Sequence, residues 1–451
     1  MCELLPQSDD RELGAASPIK KSREGKEMAN HQIALNNKGE IHLPPEIAER
    51  YGYCSGASIA VSEMPDGIFM HRPPQGPRKI YLEPTSLCNL HCSTCVRQDW
   101  RDPQGMMEME AYEGLIRQLP ELPKVETLHF GGYGEPLLHP EIERMLRMAK
   151  EAGRKTELIT NGLLLDHSVA EKLVNTRLDT LIFSVDGLSP ETYEAIRIGS
   201  SFAKFQENAQ TLGKVKSQKG RVRPQIGLEF VVMKQNIQDL EKLNSFSHEM
   251  EASFLILNNL LPHTEEMKDQ VLYNNCTVVS PPPLSSRRIV RSQTFHDFVR
   301  ILLPKIQLSE ESYRPLFKLL RFRSHEAPLF DSGRPRETYC RFVNEGYLAV
   351  AWDGEVSPCL ALMHSYGCYI LGRYKEIRRY SLGNIRNKDL KEIWEDAGYS
   401  AFRSRVKAFE FSPCAECGGC GLSETNEEDC FGNPFPVCGD CLWARGILQC
   451  P

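Results

Sequence analysis

The sequence predicts an α/β protein: a partial (β/α)6 TIM-like barrel, with a small β-rich domain before it and a cysteine-rich loop domain after it. Between residues 79 and 258, six strand-like runs alternate with helix-like stretches, which implies a parallel sheet with helices outside. The short polar and glycine-rich motifs of this region follow strands, and active sites of such barrels lie at the C-terminal ends of strands. Ten of the sixteen cysteines lie from Cys340 onward, where Gly, Pro and Asn separate many of them.

The domain prediction follows from these shifts in pattern and composition. The barrel strands are expected at 79–83, 125–130, 155–160, 179–184, 225–232 and 253–258, and helices at 108–118, 140–151, 189–196, 203–216 and 236–250. We predict a disordered leader (1–28), a swapped-hairpin domain (29–75), the barrel (78–262), a basic helical connector (263–338) and an auxiliary cysteine-rich domain (339–451).

Composition excludes some classes of function. A net charge of −6 argues against nucleic acid as the main target, because neutralising phosphates needs an excess of Lys and Arg. No apolar run approaches the roughly 18 residues that a membrane helix requires. The N-terminus lacks the pattern of a signal peptide, so sixteen cysteines indicate metal ligands rather than disulfides. The sequence therefore predicts a protein of the reducing cytoplasm without membrane contact.

Residues 31 to 75 form a compact pattern, with a helix opened by Pro44 and Pro45 and a hairpin around Asp66 and Gly67. This pattern resembles the AbrB-type swapped-hairpin regulators, which often bind DNA as intertwined dimers. Three basic against five acidic residues give this region a net charge of −2, whereas a DNA-binding face needs the opposite sign. A docking or dimerising role is therefore favoured over DNA binding.

The predicted connector is basic. Residues 284 to 337 hold eleven basic and six acidic side chains, a net charge of +5 in a negative protein. A solvated helical connector is the favoured interpretation, and a surface for an anionic substrate or an acidic partner is the alternative.

Three cysteines, Cys88, Cys92 and Cys95, follow the first predicted barrel strand with the spacing C-x3-C-x2-C. Three thiolates on one loop can hold three irons of a [4Fe–4S] cluster and leave the fourth iron open. A zinc site normally has four ligands, and only His91 is near enough in sequence to complete one. An iron–sulfur cluster with one open iron is the hypothesis that the later motifs test.

Two motifs follow later strands of the same sheet. In Gly131-Gly-Tyr-Gly-Glu135, glycines allow the backbone to approach a ligand closely, and Glu135 can accept from an ammonium group. In Ser184-Val-Asp-Gly187, short polar side chains can hold ribose hydroxyls. Either motif alone is weak, since glycine-rich turns are usually structural. In order, at strand ends of one sheet, they indicate a bound cofactor.

These motifs together resemble those of radical SAM enzymes. The resemblance implies that Cys88, Cys92 and Cys95 hold a [4Fe–4S] cluster whose open iron is chelated by S-adenosylmethionine. It further implies cofactor-binding roles for Gly132, Gly134, Glu135, Ser184, Asp186 and Arg197. Thr94 departs from the family, which commonly has an aromatic residue there that packs on adenine.

The resemblance also implies a mechanism. One electron cleaves S-adenosylmethionine, and the resulting 5′-deoxyadenosyl radical abstracts hydrogen from a substrate. The cofactor carries this chemistry, while the protein orients it and excludes water. An external donor, ferredoxin or flavodoxin, is expected as a partner.

The C-terminal region resembles the SPASM extension of radical SAM maturases. Cys340, Gly354 and Cys359 fit its opening spacing. Nine cysteines can supply eight ligands for two auxiliary [4Fe–4S] clusters with one to spare: Cys340, Cys359, Cys414, Cys417, Cys420, Cys430, Cys438, Cys441 and Cys450. The alternative for Cys414 to Cys420 is a zinc knuckle. The remaining cysteines, Cys2, Cys54, Cys276 and Cys368, are interpreted as ordinary residues.

Enzymes with this extension mostly modify peptides or proteins. Leu360 stands where sulfatase-activating members commonly have an aspartate after the cysteine, which counts against that activity. The whole pattern resembles the subgroup proposed to mature tungsten-cofactor oxidoreductases of the aldehyde:ferredoxin type, and we favour that function. The alternatives are a maturase of a small ribosomally made precursor peptide and an iron–sulfur transcription regulator.

Overall fold

A computed structural model describes residues 41–51, 61–64, 67–70, 76–273, 300–307, 309–321, 338–417 and 420–450. The chain divides into two units, residues 1–59 and 60–451. In the first, α1 (Pro45–Tyr51) confirms the helix predicted at Pro44 and Pro45. In the second, β1 (Val61–Met64) and β2 (Gly67–Met70) form the predicted antiparallel hairpin. The predicted leader 1–28 lies outside the described residues, and the swapped arrangement of the hairpins stays a prediction.

Six parallel strands form the centre of a ten-stranded open sheet, and they confirm the six predicted runs to within two residues. They are β3 (Lys79–Leu82), β4 (Thr127–Phe130), β5 (Lys155–Thr160), β6 (Thr180–Ser184), β7 (Gln225–Val232) and β8 (Ala252–Asn259). Neighbours in sequence are neighbours in the sheet, and each pairs in parallel register with the next. This order is the one that repeated strand–helix units produce.

Helices connect these strands and cover one face of the sheet. They are α2 (Met109–Gln118), α3 (Ile142–Glu151), α4 (His167–Asn175), α5 (Pro190–Ile196), α6 (Phe202–Gln218) and α7 (Leu240–Glu249). The main core lies between helices and sheet and includes Leu82, Phe130 and Phe230, all at most 1% exposed. Burying each such side chain contributes about 1.5–3 kcal/mol.

The opposite face of the sheet, here called the inner face, carries polar side chains. Alternation along the strands places Tyr81, His129, Glu157, Ser184 and Glu229 on this face, because their sequence neighbours point into the helix-covered core. The register confirms this placement, since Tyr81 pairs with His129, His129 with Glu157, and Ser184 with Glu229. Titratable groups therefore line the side of the sheet that faces away from the helices.

The sheet extends beyond both predicted boundaries of the barrel. β9 (Arg300–Leu302) pairs in parallel with β8 and is followed by α8 (Glu310–Arg321). At the other edge, β10 (Tyr347–Val350) pairs in parallel with β3, and β11 (Glu355–Ser357) and β14 (Gly383–Asn384) continue antiparallel. The segments interpreted as connector and loop domain thus contribute four strands. Most of these strands have two or three residues, too few for a periodic signal.

The rest of the C-terminal region is built from short elements. They are α9 (Arg341–Glu345), the hairpin β12 (Tyr366–Ile370) and β13 (Arg373–Ile377), α10 (Leu390–Glu395) and α11 (Ala397–Ala408). Within the described ranges, none of the helices has the length and apolarity needed to cross a bilayer.

Candidate functional site

The loop after β3 brings Cys88, Cys92 and Cys95 together. All three thiols are partly exposed and unpaired. The Cys95 charge raises the pKa of Cys88, and the charges of Cys95 and Cys88 both raise the pKa of Cys92, so the three thiols lie near one another. The three predicted cysteines therefore lie together on one loop. Their role as ligands stays a prediction.

Backbone contacts hold this loop in place. His91 N and Ser93 N donate to the carbonyls of Ile198 and Ile196, at 3.0 and 2.8 Å, so the end of α5 supports the loop from one side. The Arg97 guanidinium donates to the Leu90 carbonyl at 2.9 Å across the loop. These contacts anchor the loop to the end of α5 and across itself.

The electrostatics of the three thiols suit a metal. Burial raises the pKa of Cys92 to about 11 and also raises that of Cys95, so neither thiol ionises readily by itself. The guanidinium groups of Arg197 and Arg97 act in the opposite direction and favour the thiolates. Thiolates stabilised jointly by cations and a bound metal are the form in which cysteine ligates iron.

The glycine-rich segment packs directly against this loop. A Cβ on Gly134 would lie 2.0 Å from the Thr85 carbonyl oxygen, so no other residue fits there. Gly132 has a φ of +126°, which side chains rarely adopt. Glu135 N donates to the Leu87 carbonyl at 2.8 Å, which fixes the segment beside Cys88. The glycines therefore allow a close approach to the backbone of the cysteine loop, and their approach to a ligand stays a prediction.

Glu135 has a more internal position than the sequence suggested. One carboxylate oxygen accepts from Thr160 Oγ1 at 2.7 Å and from Leu137 N at 3.0 Å, and the other accepts from Asn161 N at 2.8 Å. Burial raises the pKa of Glu135, while these bonds oppose the shift. The side chain therefore organises the ends of two strands and keeps only part of its capacity for an ammonium group.

Asp186 and Arg197 form a buried ion pair, with 2.9 Å between Asp186 Oδ2 and Arg197 Nη2. Asp186 Oδ1 also accepts from Val231 N at 2.9 Å, which leaves the carboxylate well satisfied. Arg197 Nε has no hydrogen-bond partner within the described residues, although it is buried. Since buried donors are normally paired, this atom points to a missing acceptor such as a carboxylate. Ser184 lies at the end of β6, two residues before Asp186.

A buried network that the sequence did not reveal connects the glycine-rich segment to the C-terminal region. Glu83 accepts from Tyr133 N at 3.2 Å, and its other oxygen lies 2.8 Å from His364 Nε2. Trp100 stacks on His364 with 3.8 Å between ring centroids. Burial alone would lower the pKa of His364, but the carboxylates of Glu83 and Asp102 raise it above its usual value.

The position of Glu83 in the sequence could have identified it as a site residue, whereas nothing in the sequence identifies His364. Glu83 ends the run of the first barrel strand, where site residues are expected. His364 lies 281 residues further along the chain, and a single histidine carries no pattern. Asn161 also follows a strand, and its side chain donates to Asn89 Oδ1 in the cysteine loop at 2.8 Å.

In the C-terminal region, Cys340, Cys359, Cys438 and Cys441 form what we call the inner thiol group. Burial raises the pKa of Cys340 to about 12, and the Cys441 thiolate adds to the shift. Cys359 in turn senses Cys340, Cys441 and Cys438. Four thiols from three separate segments therefore meet in one place.

Cys414, Cys417, Cys420 and Cys430 form what we call the outer thiol group, which ranges from partly to fully exposed. The Arg373 guanidinium donates to the carbonyls of Cys414 and Cys417. It also donates to the hydroxyl of Ser423, which follows Cys420 by three residues. Asp429, which precedes Cys430, accepts from Ser412 N at 3.0 Å and ties the two ends of the group together.

Cys450 belongs to neither group, although Cys340 and Cys359 of the inner group pack against the same apolar cluster. It is 6% exposed and packs with Tyr81, Phe342 and Met363 against the inner face of the sheet. Burial raises the pKa of Cys450 to about 12, and its charged neighbours are, in order of effect, Arg341, Glu229, Lys79 and only then Cys340. Cys368 is fully buried beside Lys375 and belongs to neither group, and its interpretation as an ordinary residue stays a prediction.

Within the described part of the chain, no three His, Cys, Asp or Glu side chains converge on a point where a single metal ion would fit. A [4Fe–4S] cube places each thiolate on a different iron, so its ligands need not converge. The soft donor sets and the unpaired Arg197 Nε fit a cube with an anionic ligand.

Comparison with known proteins agrees with this geometry. Residues 82–246 match the radical SAM superfamily, and residues 340–421 match SPASM, an iron–sulfur cluster-binding domain. A tungsten-containing aldehyde ferredoxin oxidoreductase cofactor-modifying protein of Pyrococcus furiosus is 31% identical over 376 residues, 82% of this chain and 96% of that relative. The chain is a member of the radical SAM superfamily.

Two other proteins are also similar to this radical SAM chain, one in sequence and one in fold. An AdoMet-dependent heme synthase of Methanosarcina barkeri is 25% identical, over 81% of this chain and 94% of that protein. Streptococcus suis SuiB bound to its precursor peptide SuiA has the same fold, with a TM-score of 0.51 and 20% identity over 76% of this chain and 70% of SuiB. This radical SAM protein is an enzyme whose cofactors are a [4Fe–4S] cluster, S-adenosylmethionine and auxiliary iron–sulfur clusters in the SPASM domain.

Proposed function

We propose that this radical SAM enzyme acts in maturation of a tungsten-containing oxidoreductase of the aldehyde:ferredoxin type, by modifying its cofactor. The similarity to the cofactor-modifying protein supports the proposal, because it spans 96% of that relative and so includes both the barrel and the SPASM region. The likeness to SuiB concerns the fold alone and does not favour a peptide substrate.

We further propose how the chain's own residues act. Cys88, Cys92 and Cys95 hold the cluster, the Gly132–Glu135 backbone and Arg197 bind the amino-acid end of S-adenosylmethionine, and Ser184 lies on the ribose side. When bound, cluster and S-adenosylmethionine supply a carbon radical that abstracts hydrogen from the substrate. Asp186 orients Arg197, and Trp100 stacked on His364 closes the site against water.

The auxiliary ligands follow from the two thiol groups. We propose that the inner group holds one auxiliary cluster and the outer group the other, so that Cys450 is the spare ninth cysteine. The inner group supplies four thiolates and so occupies all four irons of its cube, which leaves no iron for substrate. Its role is then electron transfer. The expected external donor is ferredoxin or flavodoxin, and a reducing cytoplasm suits so many open thiols.

The proposed function is tested by anaerobic reconstitution with S-adenosylmethionine, dithionite and the tungsten oxidoreductase prepared without this maturase. We expect 5′-deoxyadenosine and a gain of oxidoreductase activity, both absent when Cys88, Cys92 and Cys95 are changed to Ala. A precursor peptide modified in place of the oxidoreductase would identify the alternative substrate. Absence of S-adenosylmethionine cleavage would refute the radical chemistry.

The ligand assignment is tested by iron content. Cys441→Ala is expected to lose about four irons per chain, one cube, whereas Cys450→Ala should keep the wild-type content. Cys368→Ala is a matched control, because Cys368 is equally buried and lies outside both groups. Loss of iron in Cys450→Ala comparable to that in Cys441→Ala would show that Cys450 is a ligand after all.

A further inference from the structure

One titratable side chain of the inner face has no role in the arrangement described so far. Glu229 lies in the middle of β7, in register with Ser184 on β6, and therefore at the level of the proposed S-adenosylmethionine site. Its sequence neighbours Leu228 and Phe230 are at most 1% exposed in the core on the other face, whereas Glu229 is partly exposed. The carboxyl group thus faces open space on the inner side of the sheet.

The groups around Glu229 come from four different segments. Asp186 and Arg197 approach from the ends of β6 and α5, Asn258 from β8, and Cys450 from the C-terminal segment. Glu229 therefore lies between the proposed S-adenosylmethionine site and Cys450, which itself packs beside the SPASM region. A substrate that the radical reaches would lie on this inner side of the sheet, where the proposed S-adenosylmethionine site is.

Glu229 is poorly compensated there. Within the described residues its one side-chain hydrogen bond comes from Asn258 Nδ2 at 3.5 Å, the longest that counts as a bond. Arg197 does not neutralise it, because Asp186 holds that guanidinium at 2.9 Å. Asn258 Nδ2 is also shared, since it donates to the Gln449 carbonyl at 2.9 Å. A structural carboxylate would have stronger partners, as Glu135 and Asp186 do.

We propose that Glu229 is a catalytic acid–base residue that exchanges a proton with a substrate bound between the proposed S-adenosylmethionine site and Cys450. The substrate class that this fits carries an N–H, O–H or S–H group next to the attacked carbon. The proton passes from that group to the Glu229 carboxylate, which becomes a carboxylic acid, and the electron pair stays on the substrate heteroatom. No oxidant or reductant enters this step.

The electrostatics support this role. Burial, followed by the Asp186 charge, raises the pKa of Glu229 to about 7, while Asn258 and Arg197 oppose the shift. An acid–base catalyst works best when its pKa lies near the working pH, because both forms are then populated. Glu135, by contrast, has its oxygens held by three hydrogen bonds and is not free to exchange a proton.

The proposal rests on the proposed function and is tested on the reconstituted holoenzyme with Glu229→Gln and Glu229→Asp. Maturation of the oxidoreductase is expected to fall by about 100-fold or more in Glu229→Gln, the range for a lost general acid or base, and to recover partly in Glu229→Asp. Iron content and dithionite-driven formation of 5′-deoxyadenosine should stay within twofold of wild type, since Glu229 holds neither cluster nor cofactor.

A second readout does not depend on the substrate. Infrared difference spectra between pH 6 and pH 8.5 should show a protonated carboxyl band that disappears at the higher pH in wild type and is missing in Glu229→Gln. If wild type fails to mature the oxidoreductase, the proposed function is wrong while this band still reports on Glu229. Normal maturation by Glu229→Gln, equal loss of 5′-deoxyadenosine, or no titrating band would each overturn the role of Glu229.

Discussion

The ion pair between Lys375 and Asp440 offers the sharpest test of how the SPASM region is stabilised. Lys375 Nζ donates to both Asp440 oxygens, at 2.8 and 2.7 Å, and the two residues are 2% and 4% exposed. Asp440 lies between Cys438 and Cys441 of the inner thiol group. Lys375→Met would leave a buried carboxylate without its cation, which costs about 3–5 kcal/mol.

The measurement is a double-mutant cycle on reconstituted protein under anaerobic conditions. Lys375→Met should lower the thermal midpoint and the iron content, because the loop that carries two proposed ligands, Cys438 and Cys441, loosens. Adding Asp440→Asn removes the unpaired charge and should recover most of the loss. Arg378→Met is the control, since Arg378 pairs with Glu427 at the surface, with side chains 50% and 45% exposed, and such pairs contribute about 0–1 kcal/mol.

Two outcomes would refute this reasoning. A loss of stability in Lys375→Met no larger than that in Arg378→Met would show that burial does not strengthen the ion pair. A double variant as unstable as Lys375→Met would show that the loss comes from packing of the lysine stem and not from an uncompensated charge.

Two further predictions concern the barrel. Gly134→Ala should abolish cluster binding at the first site, because its Cβ would lie 2.0 Å from the Thr85 carbonyl oxygen, and iron analysis should show a deficit of about one cube while the auxiliary iron remains. Burial lowers the pKa of His129 from 6.5 to about 4. The unfolded chain therefore takes up a proton at a higher pH than the folded chain does. As the pH falls through the range between these two pKa values, the free energy of unfolding decreases by up to about 3 kcal/mol. His129→Gln should flatten the fall in thermal midpoint between pH 7 and pH 4.5, and an unchanged slope would assign it to other groups.

The central sheet and the cysteine loop were predictable because their signals are local. Each of the six strands carries apolar residues that face the helix-covered core, and the rule that sites lie at strand ends selected Gly132, Ser184 and Asp186 without any knowledge of contacts. The same rule, applied to every strand, would also have selected Glu83 and Asn161.

Features that depend on distant partners were not predictable. The sequence suggests a ligand role for Glu135, but whether its oxygens are free depends on Thr160 and Asn161, which belong to another strand. The sorting of nine C-terminal cysteines into two groups of four, with Cys450 left over, depends on how short loops fold back, and spacing alone left it open. The proposed role of Glu229 depends on how weakly its carboxylate is hydrogen-bonded, which no sequence motif indicates.

Pairing of β10 with β3 has a consequence for protein engineering. The strand that leads into the cluster loop is a central strand only because the SPASM region supplies its neighbour, and Glu83 at its end is held by His364 of the same region. A chain cut near residue 339 would expose an unpaired edge of β3 beside an unsatisfied buried carboxylate. The auxiliary region is therefore not an interchangeable cassette, and a chimera that exchanges it must also preserve the β3–β10 register.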